Sequence, residues 1–201
     1  MKTIYKSLLA SGTVGAMLVM AACSAKEPAF SGIWESVKPV DVTCYFHDAT
    51  SALTTISIQF ATNQEYTGGP VTVSNRYQVT CPLATDSLPT GKYKASFIVK
   101  ASCRGSWTYD VDDSDEILLQ FNYDAFSVNI DPASIHVTPS DSIAMRQAQA
   151  KREVWTMDAQ EAFRRDLLHF STIEDVDVSK DQKMLKIEVQ DPKEEIRFIR
   201  K

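Results

Sequence analysis

The sequence predicts a mainly β fold, a single antiparallel domain of roughly ten strands with one long helical segment before the last three. Three observations carry this prediction. β-branched and aromatic residues alternate with polar ones through most of residues 30–138, which is typical of half-buried antiparallel strands. A stretch free of glycine and proline at about 140–170 has helical periodicity. Turns at Ser179–Gln182 and Asp191–Pro192 divide the rest into three short strands.

The strand predictions follow the alternation in chain order. Candidate strands lie at 30–37, 42–46, 53–60, 71–81, 93–103, 105–111, 117–123, 126–130, 135–138, 172–178, 184–189 and 195–200. Pro82, Pro89 and Gly91 are expected to bound a loop, because proline and glycine interrupt strand pairing. Gly105 lies inside a strand pattern and predicts a bulge or a sharp bend.

The helical segment has a clear start and an apolar stripe. Ser140 and Asp141 are residue types that cap helices well. The stripe consists of Ala144, Ala148, Trp155, Ala159, Phe163, Leu167 and Phe170. An unbroken helix of this length would span about 45 Å, longer than a small domain is wide. We therefore expect a break near Lys151–Arg152, or a first half that projects.

This helical segment is also locally basic within an acidic chain. The basic residues are Arg146, Lys151, Arg152, Arg164 and Arg165. One interpretation is a solvated helix with salt bridges to Asp141, Glu153, Asp158 and Glu161. The other is a docking surface for an acidic partner or for anionic lipid headgroups.

The chain begins with the features of a secretory signal. Lys2 and Lys6 give a charged start, an apolar stretch runs from Leu8 to Met20, and Ala21–Ala22 precede Cys23. This order is that of the n-region, h-region and cleavage site of a signal peptide. The interrupted apolar stretch falls short of the ~20 residues that a spanning helix needs. We expect residues 1–22 to be removed.

Cys23 at the cleavage position resembles the lipobox of bacterial lipoproteins, although Met20 stands where that family prefers leucine. The resemblance implies that Cys23 is acylated, with palmitate-type chains, and becomes the mature amino terminus. Several acyl chains together anchor a protein firmly. Ser24, in place of aspartate, implies the outer membrane facing the periplasm in a Gram-negative cell. The alternative is an ordinary secreted protein cleaved after Ala22.

Charge and length bound the remaining chain. Removing the two lysines of the signal leaves 19 of 21 basic residues against 26 acidic ones, a formal charge of −7. An acidic chain with no basic run does not predict a nucleic-acid partner. Residues 23–29 form a short tether, and residues 30–201 suit one domain with a hydrophobic core.

The start and end of this domain resemble lipocalins. Gly32-Ile33-Trp34 matches the Gly-x-Trp entry of lipocalins and lipocalin-like lipoproteins, and the chain closes on an extended Phe198-Ile199-Arg200. The resemblance implies a barrel, with Trp34 under its floor and Arg200 stacked on the ring. Closing a barrel also requires its first and last strands to meet. The helical segment departs from the classical eight-strand order, so the resemblance does not imply a particular occupant.

The aromatic residues at inward positions allow two interpretations of the barrel interior. Candidate ligand-lining residues are Phe60, Tyr77, Phe97, Trp107 and Phe121. A hollow barrel would use them to bind a small apolar ligand or a lipid. If they pack against each other and against Phe126, the barrel is filled instead.

Three cysteines remain in the mature chain, Cys44, Cys81 and Cys103. An oxidising envelope favours a disulfide, and three thiols allow three pairings with one cysteine left over. We expect a bridge that involves Cys103, because it lies beside the interrupted strand at Gly105. Three buried reduced thiols are the alternative.

Motifs for chemistry are scarce, and we do not predict an enzyme, a cofactor or a metal site. The three histidines lack metal-ligand spacing, and neither a Gly-x-Ser-x-Gly elbow nor a glycine-rich phosphate loop occurs. The acidic run Asp110–Glu116 fails the EF-hand pattern, because Asp115 and Phe121 occupy the glycine and glutamate positions. We interpret it as a solvated hairpin turn.

Two functions therefore compete for a lipid-anchored envelope protein. In the first, the barrel binds a small apolar ligand or lipid, as the lipocalin resemblance implies. In the second, the barrel is filled with side chains, and its helix or rim docks another envelope protein.

Overall fold

The computed structural model describes residues 26–85, 88–110, 116–189 and 194–201. These residues form eleven strands and two α-helices. The strands are β1 (Gly32–Ser36), β2 (Val40–Asp41), β3 (Ser51–Phe60), β4 (Gly68–Thr85), β5 (Leu88–Tyr109), β6 (Ile117–Phe121), β7 (Ser127–Ile130), β8 (His136–Thr138), β9 (Thr172–Val178), β10 (Met184–Val189) and β11 (Glu194–Arg200). The helices α1 (Ser142–Ala150) and α2 (Arg152–His169) lie between β8 and β9. The predicted mainly β fold is confirmed.

Eight of the strands close into an antiparallel barrel in the order β1-β11-β10-β9-β6-β5-β4-β3. The first strand closes it, because Trp34 of β1 pairs with Arg200 of β11 on one side and with Ile58 of β3 on the other. β2 adds to the edge of β3, while β7 and β8 pair with β5 beyond the end of β6. The first and last strands therefore meet as the sequence predicts.

The long hairpin of β4 and β5 extends the barrel wall. Its pairing runs from Gly68 opposite Thr108 to Thr85 opposite Leu88. The prediction of a loop between Pro82 and Gly91 is wrong, because β4 continues to Thr85 and β5 begins at Leu88. Pairing with β3 ends at Thr80, so β4 has a free edge beyond it, where Pro82 is tolerated.

Two further local features differ from expectation, the bulge considered at Gly105 and the strand predicted at 42–46. Gly105 forms no bulge, since pairing with β4 and β6 is regular there, and a Cβ at this position would collide with the Gln120 carbonyl oxygen. The predicted strand at 42–46 is a 3-10 helix, Thr43–Tyr45. The Asp41 carboxylate accepts hydrogen bonds from the Thr43 backbone N–H and hydroxyl, which favours a turn over a strand.

The helical segment breaks where the sequence predicts, at Lys151 between α1 and α2. Asp141 caps α1 by accepting hydrogen bonds from the N–H groups of Ile143 and Ala144. The apolar stripe faces the barrel, and Trp155 stacks on Phe97 of β5 with the ring centroids 4.4 Å apart. Within the described residues, neither helix is long and apolar enough to span a membrane.

Candidate functional site

The two ends of the barrel hold most of the candidate residues. At one end, the Arg200 guanidinium lies 4.7 Å from the ring centroid of Trp34, so the expected contact is present. Arg200 Nη2 also donates to the carbonyl oxygens of Ala29 and Ser31, each at 2.9 Å. Gly32 adopts φ +126°, a conformation that favours glycine, which explains the first residue of the Gly-x-Trp motif. We call this end the floor.

An aromatic cluster fills the floor behind this pair. Phe30 lies 5.0 Å from Trp107 and 5.2 Å from Phe60, measured between ring centroids in edge-to-face geometry. The indole N–H of Trp34 donates to the Phe30 carbonyl at 2.6 Å, and that of Trp107 donates to the Ala61 carbonyl. The polar atoms of both indoles are therefore satisfied inside an apolar cluster.

The five candidate ligand-lining residues are buried among other side chains. Phe60 and Trp107 belong to the floor cluster, and Phe97 is covered by Trp155 of α2. Tyr77 contacts Phe46 at 5.6 Å between centroids, and Phe121 contacts the half-buried Tyr123. Their exposed fractions are 8 % or less: Phe60, Tyr77, Phe97, Trp107 and Phe121. Side chains of the protein itself thus occupy the positions proposed to line a ligand site.

The expected disulfide is absent, and Cys44, Cys81 and Cys103 are all free. Cys44 is exposed, whereas the two other thiols point inward at different heights of the β4–β5 wall. Cys81 pairs across the strands with Ala95, and Cys103 with Val73, so these two cysteines do not face each other. Burial raises the pKa of the Cys81 thiol to about 11, which keeps it protonated and unreactive at neutral pH.

A buried polar cluster at the other end, which sequence reasoning missed, joins α2 to the barrel. The Asp166 carboxylate of α2 accepts hydrogen bonds from the Tyr77 hydroxyl and the Asn75 side-chain amide, both at 2.6 Å. Asn75 also donates to the Tyr77 hydroxyl oxygen at 3.1 Å. All three residues are buried, with Asp166 only 7 % exposed. We call this cluster the α2 latch.

Burial controls the ionisation of the latch. It raises the pKa of Asp166 to about 6, against the opposing effect of the hydrogen bonds from Tyr77 and Asn75. Burial and the nearby Asp166 carboxylate raise the pKa of Tyr77 above its ordinary value, so Tyr77 remains a proton donor. The hydrogen bonds of the buried Asp166 with Tyr77 and Asn75 attach α2 to β4.

A histidine and a glutamate lie between the latch and the protein surface. His169 lies one turn after Asp166 on α2, and its Nε2 is 3.5 Å from the Glu194 carboxylate of β11. Glu194 lines an open groove of about 570 Å³ between β11 and the segment Val37–Asp41, where β1 has left the barrel wall. The lining of this groove includes Met184 and Ile196 in addition to charged side chains of β11.

The sequence did contain a signal for the latch. Asp166 interrupts the apolar stripe of α2 between Phe163 and Leu167, and Asn75 and Tyr77 occupy inward positions between Val73 and Val79. A polar residue on a buried face needs a polar partner. Only the fold shows that Asp166 has Tyr77 and Asn75 as its partners, which precede it by 89 and 91 residues.

The solvent side of α2 combines exposed apolar and basic side chains. Val154, Met157 and Leu168 are 57 %, 67 % and 54 % exposed. Arg164 and Arg165 both pair with Glu161, at 3.7 Å and 3.2 Å, as one interpretation of the helix expected. We call the side chains Val154, Met157, Glu161, Arg164, Arg165 and Leu168 the outer face of α2.

Other basic residues of the helical segment are not neutralised in this way. Arg146, Lys151 and Arg152 form no ion pair with any residue that the structure describes. The expected partner Asp141 caps α1 instead. The salt-bridge interpretation therefore holds at Glu161 and is wrong at Asp141.

Two other candidate features lie outside the described residues, the lipobox with Cys23 and residues 111–115 of the acidic run. Comparison with known proteins gives no match, since no family model, no curated protein and no solved structure matches the chain. The lipoprotein and lipocalin resemblances thus rest on the residues quoted for them.

Proposed function

We propose that this chain is a lipid-anchored protein of the bacterial envelope whose filled barrel is a rigid support, and whose outer face of α2 docks another envelope protein. The observation that carries the proposal is the occupied interior. Trp155 covers Phe97, the floor cluster surrounds Trp107, and the latch occupies the end closed by α2. A binder of small apolar ligands would instead need a continuous apolar pocket of ~300 Å³ or more.

The proposed anchor lies far from the start of the proposed docking face. The floor residue Phe30 lies seven residues after Cys23 in the sequence. Acylation of Cys23 would therefore hold the floor close to the bilayer. Phe97, on which Trp155 stacks, is ten residues along β5 from Trp107 of the floor. That separation corresponds to about 34 Å along the strand at ~3.4 Å per residue. The start of α2 would therefore lie away from the anchoring membrane.

The chemistry of the outer face of α2 indicates an acidic partner with an apolar centre. Val154 and Met157 are neighbours at helical spacing and expose more than half of their surface. Arg152 and Lys151, at the start of α2, bring positive charge without a paired acid among the described residues. Apolar contacts surrounded by charges of opposite sign are typical of specific protein interfaces.

Crosslinking in the native envelope tests the docking proposal. A photoreactive residue at Gln160, beside the outer face, should crosslink one protein of acidic surface, which is then purified for binding measurements. The double variant Val154→Glu, Met157→Glu should weaken its binding at least tenfold. The matched control Ile33→Glu, Ile199→Glu alters exposed apolar residues near the floor and should leave the affinity within twofold. Equal weakening by both variants would refute the docking face.

The anchor is tested separately by Cys23→Ser. We expect this variant to lose its acyl mass and to leave the membrane fraction. If it remains membrane-bound with an unchanged mass, the proposed lipidation is wrong, while the docking face stays open to its own test.

A further inference from the structure

The outer surface of the barrel wall carries a groove of about 420 Å³ across β3, β4, β5 and β7. One cross-strand row of this groove places Arg76 opposite Lys100, with Thr55 and Asn129 at its two ends. The next row towards the floor consists of hydroxyl side chains: Ser57, Ser74, Ser102 and Ser127. The groove thus combines two cations with a line of hydrogen-bonding groups.

The pairing of Arg76 with Lys100 is unfavourable by itself. Directly opposed residues on one face of an antiparallel pair have Cβ atoms about 5 Å apart, and like charges there destabilise the sheet. Both side chains are exposed, and neither forms an ion pair or hydrogen bond with a described residue. An anion bound between them would turn this repulsion into attraction.

The acidic residues at the edges of the groove have other partners. Glu35 lies at one end and binds the Lys201 ammonium at 2.6 Å. Asp131 lies beyond the other end, in an adjoining pocket, where its carboxylate accepts a hydrogen bond from the Ala133 N–H. The centre of the groove is therefore positively charged, within a chain of net charge −5.

The charge distribution along the sequence supports the same conclusion. The span from Tyr66 to Tyr109, which contains β4 and β5, has five basic residues: Arg76, Lys92, Lys94, Lys100 and Arg104. Asp86 is the single acidic residue in that span. Positive charge is thus concentrated on one hairpin of an acidic protein, where it can attract anions.

We propose that this groove binds a phosphate-ester group. Arg76 supplies a planar guanidinium suited to two phosphate oxygens, and Lys100 adds a point charge from the neighbouring strand. The hydroxyls of Ser102 and Ser127 are 2.9 Å apart. One of them donates to the other, which leaves a second hydroxyl hydrogen to donate to the ligand. The Asn129 side chain lies beside Lys100 as a further donor. This site is independent of the docking face on α2.

The test uses the full-length chain with Cys23→Ser, so that no acyl chain contributes to membrane binding. Two probes separate the two sources of a phosphate ester: sn-glycerol 3-phosphate in solution, and vesicles of phosphatidylglycerol compared with vesicles of phosphatidylcholine. In the first case, backbone amide shifts of Ser74, Lys100 and Ser102 should move with a saturable, one-to-one dependence on concentration.

The variant Arg76→Gln, Lys100→Gln removes two charges from the groove. The matched control Lys94→Gln, Arg104→Gln removes two charges from exposed positions of β5 outside it. We expect at least tenfold weaker binding for the groove variant and less than a twofold change for the control. Binding of glycerol phosphate would identify a soluble ligand, and binding of phosphatidylglycerol vesicles alone would identify a lipid headgroup. Binding of neither probe, or equal loss in both variants, would overturn the proposal.

Discussion

At each end of the barrel a charged side chain contacts an inward-facing aromatic residue, a cation at one end and a carboxylate at the other. At the floor, Arg200 of the last strand covers Trp34, and at the α2 end Asp166 contacts Tyr77. Arg200 lies at the surface and keeps its charge at every physiological pH. Asp166 is buried and has a pKa of about 6. From this difference we expect the floor to be insensitive to pH and the strength of the α2 attachment to change with the ionisation of Asp166.

The largest expected effect is at the floor. Trp34→Ala removes a fully buried ring from the aromatic cluster and should lower the free energy of unfolding by about 3–5 kcal/mol. Urea denaturation followed by fluorescence measures this change. The adjacent Ile33 is 43 % exposed, so Ile33→Ala should cost under ~1 kcal/mol. Similar costs for the two variants would contradict the role of Trp34 in closing the barrel.

The next effect is a pH dependence confined to the latch. Because the pKa of Asp166 rises from 3.8 to about 6 on folding, the folded state binds more protons than the unfolded state between these values. Stability from this group is therefore greatest below pH 4, falls by up to ~3 kcal/mol as pH rises to 6, and then levels off.

Asp166→Asn isolates this contribution, because it keeps an acceptor for Tyr77 and removes the titration. Denaturation curves of both proteins should be measured from pH 4 to 8. The free energy of unfolding of the unmodified protein minus that of the variant should fall with pH and level off near pH 6. Parallel stability curves would show that Asp166 does not titrate in this range.

A smaller effect is expected from one hydrogen bond of the latch. Tyr77→Phe removes a donor to the buried Asp166 carboxylate and should cost ~1–3 kcal/mol at pH 7.5. It should also increase hydrogen exchange in α2 more than in the floor strands. The control Tyr109→Phe, at the half-buried edge of the floor cluster, should cost less. A reversed order would place the attachment of α2 elsewhere.

The smallest effect concerns the cation of the floor. Arg200→Gln loses the contact with the Trp34 ring and weakens donation to two carbonyl oxygens, for a cost of about 1–2 kcal/mol. Arg197→Gln, which breaks an exposed pair with Glu195, should cost ~0–1 kcal/mol. Equal costs would mean that Arg200 acts only as a surface charge.

This comparison also explains what the sequence could predict. The floor was expected from the lipocalin resemblance of Gly32-Ile33-Trp34 and Arg200, and it agrees with the need of a closed barrel to join its first and last strands. The length of the helical segment left two alternatives, a break near Lys151–Arg152 or a projecting first half, and the structure shows the break. Both predictions depend on local patterns or on chain ends.

The remaining features depend on contacts between residues far apart in the sequence. The partners of Asp166 are determined by how α2 packs on β5 and β7, and no periodicity in the sequence gives that geometry. A glycine inside a strand pattern resembles a bulge signal in the sequence. At Gly105 the glycine is needed instead because the β6 backbone approaches closely. The turn at Thr43 depends on a side-chain bond from Asp41 that competes with strand pairing.

The central claim, a filled barrel that supports a docking face, is tested most directly by native mass spectrometry of the protein extracted gently from its own membrane. The account predicts an acylated chain that carries a stoichiometric protein partner and no small molecule. A small apolar molecule bound in stoichiometric amount, with no protein partner, would contradict it and favour the hollow ligand-binding barrel.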